Sequence, residues 1–66
     1  MTIKANIAGY PPIDILIINP ITETTKIREQ GITLVISPTS EPDKYNVQVF
    51  KGRLLLMIFT AIDNVF

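Results

Sequence analysis

Glycine and proline cut this chain into short segments whose residues favour strands over helices. Gly9-Tyr10-Pro11-Pro12, Pro20, Gly31, Pro38-Thr39-Ser40-Glu41-Pro42-Asp43 and Lys51-Gly52 are the breaks. Between them lie runs rich in Ile, Val, Thr, Tyr and Phe, which suit a pleated, half-buried surface. The expected fold is all-β: a small antiparallel meander of five to six short strands. It closes, or nearly closes, into a barrel, or packs as a two-hairpin sandwich. The segment 1–66 forms a single β domain, because 66 residues leave no room for a second core.

The first strand is expected over Thr2 to Ile7, where Ile3, Ala5 and Ile7 alternate with Thr2, Lys4 and Asn6. Pro11-Pro12 then forces an extended approach to the next strand. Ile13 to Asn19 is apolar on both faces except at Asp14, which predicts a central strand closed by Pro20. Burying the lone carboxylate in that run would be costly, so Asp14 is expected on the solvent side.

Thr22 to Glu29 and Ile32 to Pro38 make a hairpin about Gln30-Gly31, and its register can be derived. A two-residue turn sets Glu29 opposite Ile32, Ile27 opposite Leu34 and Thr25 opposite Ile36. One face then gathers Ile27, Ile32, Leu34 and Ile36, and the other gathers Thr24, Lys26, Arg28, Thr33 and Val35. A three-residue loop would mix the two sets, since a slip of one residue reverses every side chain. Gly31 supplies the positive φ that such a turn needs.

The same reasoning at Lys51-Gly52 sets Val49 against Leu54, Val47 against Leu56 and Tyr45 against Ile58, all apolar. Leu55, Met57 and Phe59 fall on the opposite face, beside Gln48, Asn46 and Lys44. They are surplus apolar surface on a half-polar face: either another strand of a closed barrel or sandwich covers them, or residues 60–66 fold back over them, or with Val35 they form an interface to a second chain or partner. Residues 60–66 either continue the strand or turn into a brief helix.

Composition narrows the function. The chain has no cysteine and no histidine, which removes disulfides, thiolate and imidazole metal sites, and Ser-His-Asp or Cys-His catalysis. The carboxylates Asp14, Glu23, Glu29, Glu41, Asp43 and Asp63 lie in different elements with no dyad spacing. No catalytic residue, metal site or cofactor is expected, and the protein is expected not to be an enzyme. Six basic residues balance six acidic ones and are scattered, so nucleic-acid binding is not favoured. The longest strictly apolar run, Leu54 to Phe59, is six residues. That is far below the roughly 20 that a spanning helix needs. With no recognisable secretory signal, the cytoplasm is the expected location.

Two functional expectations remain. The first is a small non-enzymatic interaction protein, homo-oligomeric with a dimer favoured, that binds another macromolecule. Short chains without catalytic groups are often accessory or inhibitor proteins of phages and mobile elements, and that base rate sets the class. The alternative is a binder of a nucleotide or similar anion at a subunit junction, using Thr24, Lys26, Arg28 and Thr33. Tyr10-Pro11-Pro12 is either a recognition edge or a rigid turn with a packing tyrosine, and the turn is the plainer expectation.

Overall fold

The computed structural model describes residues 2–17 and 21–62. Its six strands are β1 (Thr2–Ala5), β2 (Ile13–Leu16), β3 (Thr25–Glu29), β4 (Ile32–Pro38), β5 (Lys44–Lys51) and β6 (Leu54–Ile62). All pairings are antiparallel, and no helix occurs among the described residues. β1 and β2 form a two-stranded sheet, while β3-β4-β5-β6 form a four-stranded meander. The all-β expectation therefore stands. The described residues form no closed sheet, because β3 and β6 end the meander and β1 and β2 pair only with each other.

Each sheet is apolar on one face, and the two faces share one core. Ile3, Ala5, Ile13 and Ile15 come from the small sheet and Ile21 from the segment before β3. Ile32, Leu34, Ile36, Tyr45, Val47 and Val49 come from β4 and β5. These inner strands alternate buried and less buried residues with period two, as a sheet covered on one side must. Tyr10, in the β1–β2 connection, packs against the same core, and the Lys51 ammonium lies 5.0 Å from its ring centroid. The Tyr10-Pro11-Pro12 segment thus takes its plainer role, with the tyrosine fixing the small sheet over the end of β5.

The first hairpin follows the derived register: Glu29 faces Ile32, Arg28 faces Thr33, Ile27 faces Leu34, Lys26 faces Val35 and Thr25 faces Ile36. Its turn has positive φ at both central residues, 51° at Gln30 and 77° at Gly31, as a type I′ turn requires. The Ile7 carbonyl accepts a 3.0 Å hydrogen bond from the Tyr10 amide around Gly9, whose φ of 83° suits the third position of a type II turn.

Three expectations need correction. β2 is not a central strand: it pairs with β1 alone, burying Ile13 and Ile15 while Asp14 and Leu16 face solvent. Two-sided apolarity resembled a two-sided core, but only one side of this strand is covered. Asp14 does sit on the solvent side, opposite Lys4 in the ladder. Both N-terminal strands are also shorter than expected, and residues 18–20 of the second lie outside the described set.

The third correction concerns β6. The turn residues are Gly52-Arg53, so Lys51 faces Leu54 and Phe50 faces Leu55. Between Val49 and Phe50 the register shifts, so that Val49 faces Met57 and Leu56 is left as the extra residue of a β-bulge. Moving the turn by one residue changes no face, but the bulge reverses every side chain beyond it. Met57, Phe59 and Ala61 consequently pack against the core, with Leu56 at its margin. Ile58, expected inside, is turned outward and is 60% exposed, while Leu54, on the turn side of the bulge, keeps its face opposite Lys51 but is 63% exposed at the end of the sheet. The strand continues to Ile62, and residues 63–66 lie outside the described set.

Candidate functional site

The face of the four-stranded sheet turned away from the core carries the residues expected to bind a ligand. Its cross-strand rows follow from the ladders. Arg28, Thr33, Phe50 and Leu55 form one row, and Lys26, Val35, Gln48 and Ile58 form the next. Ser37, Asn46 and Thr60 follow, with the Thr24 and Ser37 hydroxyls sharing a 3.1 Å hydrogen bond. Phe50 and Val35 are half-buried in the middle of this face, and Leu55 and Ile58 flank them on β6.

A shallow groove of about 410 Å³ crosses the first two rows, lined by Lys26, Thr33, Val35, Gln48, Phe50 and Arg53. A second, of about 320 Å³, lies beside it between Ser37, Asn46, Gln48 and Ile58. Two of the four residues expected to bind a ligand, Lys26 and Thr33, line the larger groove together. Arg28 is exposed on the same face opposite Thr33, and Thr24 lies farther along, engaged with Ser37. Arg53 is the addition: it brings a second cation to the groove from the β5–β6 turn. Neither hairpin register places Arg53 near Lys26. Their meeting depends on the pairing of β4 with β5, which sequence patterning did not address.

The four expected interface residues separate. Leu55 and Val35 lie on the uncovered face, whereas Met57 and Phe59 stand on the core side, opposite Val49 and Val47. Among the described residues, no cluster of three or more His, Cys, Asp or Glu side chains is placed to hold a metal ion. No helix among them is long and apolar enough to cross a membrane.

No family model, curated protein or solved structure matches the chain. Its function therefore has to be argued from the surface itself.

That surface has a definite character. Leu55, Ile58 and Ile62 are all large, apolar and substantially exposed, and all lie on this face of β6. Scattered exposed leucines are ordinary, but several on one strand beside a half-buried Phe50 and Val35 make a continuous apolar strip. Lys26, Arg28 and Arg53 border it with polar groups, and Gln48 lies within it between Val35 and Ile58. An apolar centre with a polar margin is the usual anatomy of a recognition surface.

Proposed function

We propose that this protein is a non-enzymatic interaction module that assembles as a homo-oligomer, a dimer, and binds another macromolecule through the uncovered face of its four-stranded sheet. The observation that supports this reading is the apolar strip of Val35, Phe50, Leu55 and Ile58, left open on a sheet whose other face packs on the core. The base rate for short chains of this kind favours an accessory or inhibitor protein of a phage or mobile element. The test is capture from the native host with wild-type protein and with a Val35→Lys, Phe50→Lys double variant, each checked for fold by circular dichroism. A partner retained by the wild type and lost by the folded variant is the expected result. Equal capture by both would overturn the assignment to this face.

A second reading has its own support: Lys26 and Arg53 converge on one groove with the Thr33 hydroxyl. Two cations and a hydroxyl form a reasonable seat for a phosphate-bearing ligand. Such a ligand at 100 times its dissociation constant would add about 2.7 kcal/mol of stability. In a domain of this size, that raises the melting temperature by roughly 10 to 20 °C. Absence of any shift with mono-, di- and cyclic nucleotides and with inorganic phosphate would remove this reading.

A further inference from the structure

Among the described residues, nothing pairs with the outer edge of β6, the strand that ends the four-stranded meander. Edge strands are normally shielded by short length, charge, proline or a covering segment, because their free amides and carbonyls template further pairing. β6 has none of the first three: it runs nine residues, LLLMIFTAI, without a charge or a proline. The other end of the sheet is treated differently, since β3 has Lys26, Arg28 and Glu29 among its five residues.

The side chains of β6 are as incompletely satisfied as its backbone. On the core side Met57, Phe59 and Ala61 are only partly buried, whereas Val47 and Val49 on the adjoining strand are fully buried. On the outer side Ile58 and Ile62 are 60% and 56% exposed. Among the described residues, both faces and the edge are therefore incompletely covered at one strand.

We infer that the occupant is a second copy of this chain, with β6 of one protomer pairing antiparallel with β6 of its partner about a two-fold axis to give one continuous eight-stranded sheet. Three features favour a second copy. A charge-free strand meets itself without placing like charges in opposition. A β6–β6 junction is isologous and closes at two copies, whereas β6 added to β3 of another copy would leave free ends and propagate. The two-fold also continues each face with its own kind, so the half-buried core side chains of the two β6 strands complete each other.

The register is restricted as well. An antiparallel two-fold keeps the same side chains on the same face, so its axis passes through a residue, not between two. The bulge at Leu56 confines regular pairing to the stretch from Met57 to Ile62. Centring on Thr60 sets Ile58 against Ile62 on the outer face and Phe59 against Ala61, large against small, on the inner one. Centring on Phe59 opposes two phenylalanines and leaves Ile62 beyond the last regular pair. The Thr60-centred register covers more of what is open.

The pairing rests on the homo-oligomeric reading proposed above, and two measurements tell their failures apart. Light scattering at tens of micromolar should give about twice the 7.4 kDa chain mass. A folded Ile58→Lys variant should give half the wild-type value. Because the chain has no cysteine, Thr60→Cys introduces a lone thiol. Across a Thr60-centred axis the two Cβ atoms lie about 4.5–5.5 Å apart, within reach of a disulfide after small adjustment. Oxidation should convert this variant to covalent dimer, and Arg28→Cys, on the opposite edge, should stay monomeric on denaturing gels. A monomeric wild type would overturn both the pairing and the homo-oligomeric reading. A dimer that survives Ile58→Lys and does not cross-link at Thr60 would overturn the β6 pairing and leave that reading in place.

Discussion

Val47 stands directly opposite Phe59, on the core side of the four-stranded sheet. An uninterrupted ladder from the Lys51-Gly52 turn would put Leu56 there instead. The single extra residue at the bulge exchanges the interior and exterior of β6, and with them the identity of the exposed residues.

That exchange can be tested by truncation. Phe59→Ala should cost about 2–3 kcal/mol, somewhat below the range for a fully buried phenylalanine because Phe59 is only partly covered. Leu56→Ala should cost less, about 1 kcal/mol, since that side chain is bulged out of the ladder at the margin of the core. Urea unfolding of both variants decides the matter, and the reverse order would restore the unbulged register.

The centre of the core should be less forgiving. Leu34 is fully buried on β4 between the two sheets. Leu34→Ala should therefore lose about 2–5 kcal/mol through lost transfer energy and the residual cavity. A domain this small has little stability in reserve, so the variant should be largely unfolded at 37 °C by circular dichroism. Leu16→Ala, which removes a mainly exposed leucine from β2, should melt within a few degrees of the wild type.

The first hairpin turn has a defect that can be repaired. Gln30 has a φ of 51°, a left-handed conformation that costs a residue with a side chain roughly 1–2 kcal/mol. Gln30→Gly removes that strain and should stabilise by about 0.5–1 kcal/mol, less the added flexibility of the unfolded chain. Gly31→Ala should do the opposite, losing about 1 kcal/mol. An added Cβ there meets nothing within 4 Å, so the loss would come from the φ of 77° and not from a clash. Thermal melts of the two variants should move in opposite directions.

In the β4–β5 connection, beside the 3.2 Å bond from the Lys44 amide to the Glu41 carbonyl, one hydroxyl makes several contacts. Thr39 Oγ1 donates toward the Lys44 carbonyl at 2.8 Å, with the Glu41 carbonyl at 3.0 Å, and accepts from the Glu41 amide at 3.1 Å. Thr39→Val keeps the shape and removes these bonds, and should cost about 1 kcal/mol. The exposed Lys44–Glu41 ion pair across the same turn, 2.9 Å long, should contribute too little to measure, so Lys44→Gln should melt with the wild type.

The parts of the fold that were legible in the sequence are those where one face is apolar and the other is not. Ile27, Ile32, Leu34 and Ile36 against Lys26, Arg28 and Thr33 admit one register, and the β3–β4 ladder has it. Tyr45, Val47 and Val49 against Asn46 and Gln48 fix the inward face of β5 in the same way. At the candidate site, Lys26 and Thr33 were legible as neighbours on one hairpin face, but Arg53 was not. It reaches them only through the β4–β5 pairing, a contact between two hairpins and not within one.

β6 lies beyond that kind of reading. Leu54 through Phe59 is apolar at every position, so both faces would gain similar burial energy and alternation has nothing to select. The sequence alone determined that this strand carries apolar residues on both sides, in a chain with little interior to cover them. Which three side chains turn inward was decided by the tertiary structure. Packing against the shared core, with Leu56 bulged out of the ladder, brings Met57, Phe59 and Ala61 to its margin and leaves Ile58 and Ile62 exposed on the other face.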